Sequence, residues 1–161
     1  MIAIRKCEEA DKQRIREIIK YVISKGDSFT DAPDAPLDEI VAGWCGADKH
    51  TFVAVSENEI VATFYIKANQ PGLGSHVANG SYMVAPEARG LGVGRLIGEF
   101  SINEAKRLGF RAMQFNFVVK SNEKAVRLWQ SLGFEIIGEI PEAFRHAENG
   151  LTNAYIMYRK L

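Results

Sequence analysis

VAPEARGLGVGRLIGEF, residues 84–100, sets glycines at 90, 92 and 94 directly after Arg89 and directly before apolar residues at helical spacing. A stretch without side chains at every second residue lets backbone N–H groups approach a partner closely, and the helix that follows adds a partial positive charge at its N-terminus. Both features suit an anion, phosphate above all. The position of the stretch also decides the fold. It follows an antiparallel meander in mid-chain instead of opening a first βαβ unit, which excludes the doubly wound nucleotide fold.

Downstream of the glycines, Leu96, Ile97, Phe100, Ala105 and Leu108 fall on one helical face that Gly109 closes. RAMQFNFVV (111–119) reads as a strand. Its alternation puts Ala112, Gln114, Asn116 and Val118 on one face and Met113, Phe115, Phe117 and Val119 on the other. Ser121 is the candidate N-cap of a helix carrying Ala125, Val126, Leu128, Trp129 and Leu132, and FEIIGE and NAYIMYR form two final strands around a polar loop.

Upstream, MIAIRKC is a short strand, and Ile15, Ile18, Ile19, Val22 and Ile23 mark an amphipathic helix over about residues 9–24. GDSFTDAPDAP is turn chemistry, and Leu37, Ile40, Val41 and Trp44 make a second, short helix. TFVAV and IVATFYIKA read as a hairpin, and HVANGSYMVA as its next neighbour, ending at Pro86. The order β-α-α-β-β-β-α-β-α-β-β predicts an α+β fold, a mixed and mostly antiparallel sheet of about seven strands flanked by four helices, in one domain over residues 1–161.

Spacing narrows the anion. G-x-G-x-x-G fails because the third positions hold Arg95 and Ile97, and the absence of any Gly-Lys pair excludes a Walker-type loop. A pyrophosphate loop of another kind remains, beside a ligand-free strand-to-helix turn.

Composition narrows the partners. Twenty basic and twenty acidic residues cancel, with no run of five like charges, so nothing marks a nucleic-acid or anionic-membrane surface. The apolar stretches are strand-length and the N-terminus becomes charged early, which predicts a cytoplasmic protein. Cys7 and Cys45 read as ordinary thiols of a reducing compartment, and His50, His76 and His146 lie far apart, so no metal is expected.

The chain resembles the GNAT superfamily of acetyl-CoA-dependent N-acetyltransferases over nearly its whole length. Arg89-Gly90-Leu91-Gly92-Val93-Gly94 is similar to the family's Gln/Arg-x-x-Gly-x-Gly/Ala signature, and NEKAVRLWQSLGF (122–134) to its Asn-x-x-Ala-x-x-Leu-Tyr-x-x-x-Gly-Phe helix. The resemblance implies a splay between strands 4 and 5, with acetyl-CoA as cosubstrate. Its contacts would be Met83, Val84 and Ala85 along the pantetheine, the loop from Arg89 through Gly94 to Arg95 at the pyrophosphate, and Asn122 and Trp129 on the last helix. An N–H near Val84 would polarise the acetyl carbonyl. The implied activity is N-acetyl transfer to the amine of a small molecule or amino-acid analogue by direct attack on the thioester. An acyl-CoA-binding or sensing module and a protein or peptide N-acetyltransferase stay open beside it, as does a homodimer.

Two positions depart from the family. Trp129 stands where the acid tyrosine is usual, and an indole N–H donates without titrating, so it reads as a packing residue. Residues 68–86 hold no carboxylate, leaving His76, or a water held by Asn79 and Ser81, as base, against a plain strand-end histidine. Asn116 and Asn122, with Trp in place of Tyr, resemble a GNAT subgroup that includes the yeast azetidine-2-carboxylate N-acetyltransferase, which implies roles for both asparagines in catalysis and for Asn116 in substrate binding. Asn116 as a structural bridge is the alternative. Phe29, Phe144 and Arg145 are the candidate acceptor contacts, Arg145 pairing with a carboxylate or standing free in solvent.

Overall fold

The computed structural model describes residues 1–161. β1 (Ile2–Lys6) leads through a 3₁₀ turn to α1 (Lys12–Ser24), and α2 (Leu37–Trp44) follows a long loop. β2 (His50–Ser56), β3 (Glu59–Ala68) and β4 (Val77–Val84) form the meander. α3 (Val93–Arg107), β5 (Ala112–Val119), α4 (Glu123–Ser131), β6 (Glu135–His146) and β7 (Gly150–Lys160) complete the chain. All seven strands join one sheet in the order β1-β2-β3-β4-β5-β7-β6. Every pairing is antiparallel except β4 with β5.

Helices cover both faces. Ile15, Ile18, Ile19, Val22 and Ile23 are buried on α1, each worth about 1.5–3 kcal/mol relative to exposure. They pack with Val41, Trp44, Val53 and Met83 against one face of the sheet. On the other face Ile97, Ile102 and Ala105 of α3 and Val126 and Trp129 of α4 meet Phe64, Met113, Phe115 and Met157. Gly98 sets the α3–α4 approach: a Cβ there would lie 2.8 Å from Leu132 Cδ1 and 3.1 Å from Trp129 Cζ3.

Three local expectations are corrected. Asn122, not Ser121, caps α4, its Oδ1 accepting the Ala125 N–H at 3.4 Å. The alternation of β5 slips at an irregularity between Phe115 and Val118, so Val118, expected on the opposite face, joins Phe115 and Phe117 at the same opening. The polar loop expected near the C-terminus is mostly strand: β6 has 12 residues, β7 has 11, and the turn is confined to residues 147–149. Pro141 and Glu142, which signal a turn, sit instead in a bulge where Glu142 takes φ 50° and its N–H donates to Asn153 Oδ1 at 2.8 Å. The longer hairpin reaches back across the sheet end, where the Ala147 N–H donates to the Gly26 carbonyl at 2.9 Å.

Candidate active site

β4 and β5 pair only at Val77 with Ala112 and Ala78 with Met113. One more link, Asn79 Nδ2 to the Gln114 carbonyl at 2.9 Å, ends the contact, and from Gly80 onward the strands part. The splay implied by the resemblance is therefore present. It opens a cleft of about 540 Å³ that passes through the sheet, with α3 and α4 on one side and α1 with its following loop on the other.

Strand register fixes what β4 offers. The Val77 carbonyl accepts from Asn69 and the Ala85 N–H donates to Val61, so the odd-numbered residues bond to β3. The backbone edges of Gly80, Tyr82 and Val84 then face the gap. Of Met83, Val84 and Ala85, it is Val84 whose amide is free for a ligand, while Met83 and Ala85 are buried in the sheet.

The glycine loop closes the α3 side. Gly90 and Gly92 take φ +76° and +79°, with nothing within 4 Å of a Cβ at either position, so the space before them is open. No N–H from Gly90 through Arg95 donates to the protein, and the first that does is Leu96, to the Gly92 carbonyl at 3.1 Å. A row of free amides at a helix N-terminus is suited to an anion. Arg14 steadies its entry, donating to the Ile60 carbonyl at 3.1 Å and pairing with Glu87 in the turn before the loop. Arg89 borders the cleft with its guanidinium 5.4 Å from the Tyr21 ring centroid. Leu91 points to solvent, and the Arg95 side chain is engaged by Glu99 and Ser131, leaving its amide as the part that faces a ligand.

Asn122 and Trp129 both line the cleft, two turns apart on α4. Capping occupies Asn122 Oδ1 and leaves Nδ2 without a protein partner. Trp129 is buried against Phe115 at 4.5 Å and Tyr82 at 4.8 Å between ring centroids, and its indole N–H meets no protein acceptor. Tyr82 shows its ring to the cleft but turns its hydroxyl inward to Ser101 Oγ at 2.7 Å, where burial pushes its pKa far above the ordinary phenol value. It is a wall, not a proton donor.

On the α1 side Val22, Ser28, Phe29, Thr30, Ser81 and Phe117 line the opening. Phe144 is buried behind Phe117, 6.2 Å between centroids, so it supports the wall without forming it. Arg145 is exposed on the hairpin and outside the cleft. Asn116 also lies outside, exposed, accepting from Gln114 Nε2 at 2.9 Å and donating to Asn69 Oδ1 at 2.7 Å, a bridge between β5 and the loop after β3. His76 stands at the closed end of the β4–β5 pair, beside Arg111. Lys124, Tyr82, Phe117, Ser28 and Thr30 are lining residues that sequence reasoning missed. Alternation from Val84 carried the signal for Tyr82 and alternation along residues 111–119 the signal for Phe117, and nothing local marked the others.

The matched protein-family model is the acetyltransferase (GNAT) family, over residues 15–134. A GCN5-related N-acetyltransferase from Kribbella flavida superimposes with TM-score 0.94 at 40% identity, covering 99% of this chain and 98% of that one. A phosphinothricin acetyltransferase from Sinorhizobium meliloti, solved with acetyl-CoA, shares the fold at TM-score 0.87 and 23% identity, over 99% of this chain and 88% of that one. N-acetyltransferase aca1 of Schizosaccharomyces pombe is 39% identical over 101 residues, 62% of this chain, which spans about half of that relative's length, 48%. With the glycine cradle, the splayed strands and these matches in agreement, the chain belongs to the acetyltransferase (GNAT) family and so to the acyltransferases.

Proposed function

We propose that the chain transfers the acetyl group of acetyl-CoA to the amine of a small molecule or amino-acid analogue, with the amine attacking the thioester directly. The observation that carries this reading is the cleft through the sheet, with the unpaired amides of residues 90–95 at one mouth and Phe29 at the other. The amides hold the coenzyme's diphosphate, and the β4 edge at Gly80, Tyr82 and Val84 matches an extended amide-bearing arm, as a strand added to a sheet would. Bound acetyl-CoA supplies the activated acetyl group.

The chain's own groups do the rest. The Val84 N–H faces the gap where a carbonyl oxygen gathers charge, and a donor fixed before the reaction costs no reorganisation during it. Asn122 Nδ2 offers a hydrogen bond to the departing sulfur. A thiolate with an ordinary pKa of about 8.5 leaves without full protonation. No Asp, Glu or His lines the cleft, so the amine proton passes to water beside Ser28, Thr30 and Ser81. The lining holds cations, Arg89 and Lys124, and no anion, which favours an acceptor that carries no extra positive charge.

Release of free CoA from acetyl-CoA, measured with a panel of small amines, amino acids and peptides, tests the reading. Turnover on small amines or amino acids is expected. Tight acetyl-CoA binding without turnover on any acceptor overturns it in favour of a sensing module, and turnover confined to peptides overturns the small-molecule acceptor.

A further inference from the structure

Cys7 and Cys45 are 38 residues apart in sequence, yet one residue fastens both. The Thr51 carbonyl accepts the Cys7 N–H at 2.9 Å, and the Thr51 hydroxyl donates to the carbonyl of Trp44, the neighbour of Cys45, at 2.8 Å. The two half-buried thiols meet in a hollow of about 360 Å³ between the end of β1 and the end of α2, apart from the cleft. Charged and titratable groups face it from every side: Lys6 and Glu8 beside β1, Glu9 and Lys12 at the start of α1, Lys49 and His50 at the start of β2. Lys12 is paired with Glu9 at 2.8 Å and Lys49 with Asp48 at 3.3 Å. The Cys7 thiol donates to the Glu8 carbonyl at 3.5 Å, and its nearness to Cys45, helped by Lys12, pulls Cys45 down to about 7 and pushes Cys7 up.

We propose that Cys7 and Cys45 are an oxidisable dithiol, a modification site at which a hydroperoxide forms a disulfide tying β1 to α2. The Cys45 thiolate sulfur attacks a peroxide oxygen, the O–O bond breaks, and the leaving oxygen takes a proton to become an alcohol or water. The sulfenic acid so formed is attacked by the Cys7 sulfur, which gives up its proton. The S–S bond forms as the S–O bond breaks, and the hydroxide leaves as water. Two thiols are oxidised by two electrons, and the peroxide is reduced by the same two. The ring closed by the new bond encloses α1, α2 and the loop bearing Phe29, whose ring lies 6.3 Å from that of Trp44.

The test treats the full chain with hydrogen peroxide and maps its peptides by mass under non-reducing conditions. The expected result is a single intramolecular Cys7–Cys45 link with a rise of roughly 5–10 °C in the thermal midpoint, reversed by dithiothreitol. With a 1,3-dione trap for sulfenic acid, Cys7→Ser is labelled at Cys45 at least tenfold faster than Cys45→Ser is labelled at Cys7. Persistence of both free thiols, a link between two chains, or equal labelling of the two variants overturns the proposal.

Discussion

The two mouths of the cleft are built from different materials. On the α3–α4 side the ligand would meet mainly main chain: free amides from Gly90 to Arg95 and the bare edge of β4. On the α1 side it would meet side chains, Val22, Phe29, Thr30 and Phe117, drawn from segments far apart in sequence. A backbone site needs glycine where the chain takes positive φ, as at Gly90 and Gly92, and is therefore marked in the sequence by spacing. A side-chain site is free to change with the acceptor.

The largest expected effect falls on the backbone side. Gly92→Val asks a β-branched residue to hold φ +79° and sets its methyls in the open space before the amides. Acetyl-CoA affinity measured by calorimetry should drop beyond detection with the fold retained by circular dichroism. Gly98→Ala makes the contrast, because its Cβ meets Leu132 and Trp129 instead of solvent. It should lower unfolding stability by roughly 1–3 kcal/mol, read by urea titration. If Gly92→Val binds acetyl-CoA normally, the amide cradle is not the diphosphate site.

Asn122 comes next, because it has two tasks on the boundary between the mouths. Asn122→Ala removes a capping acceptor, worth about 1 kcal/mol of stability, and a donor in the cleft. Turnover should fall roughly tenfold to a thousandfold. Asn122→Ser keeps a capping oxygen and loses the reach of Nδ2, so it should recover the stability and not the rate. Full turnover in the alanine variant would remove Asn122 from the chemistry.

The side-chain mouth should respond differently. Phe29→Ala opens the wall proposed for the acceptor and leaves the glycine loop intact, so KM for the acceptor should rise about tenfold with acetyl-CoA affinity unchanged, the size of one lost apolar contact. A matching loss of acetyl-CoA affinity would mean that the two mouths are not separate sites.

The same division explains what could be read from the sequence. The glycine spacing, the meander and the amphipathic faces of α1 and α3 are local signals, and the sheet order and splay agree with them. Alternation sets Asn116 on the same face as Gln114, away from Phe115 and Phe117, and the structure keeps it there, bonded to Gln114 and Asn69 as the bridge that stood beside the role implied by the resemblance. Pro141 and Glu142 read as a loop that would carry Arg145 toward the acceptor, but β6 continues there and on the strand the Arg145 side chain stands in solvent. The Cys7–Cys45 meeting depends on Thr51 holding two distant segments, which no spacing within one segment reveals.

The smallest effect belongs to Trp129, the position where the family's tyrosine is replaced. Its ring fills the space among Phe115, Phe134 and Tyr82, at centroid distances of 4.5, 5.5 and 4.8 Å, so its burial is structural whatever else its N–H does. Trp129→Phe keeps an aromatic surface and removes the N–H, and turnover should change less than about threefold, the scale of a neutral hydrogen bond or less. Stability should fall by about 1–2 kcal/mol for the lost ring volume. Trp129→Tyr is the sharper probe, because it introduces a hydroxyl able to donate a proton in the cleft. Unchanged turnover would show that Asn122 and water already serve the sulfur. A large rise, checked by single-turnover kinetics at saturating acetyl-CoA, would show that proton delivery limits the natural enzyme and that the tryptophan is retained at a cost in rate.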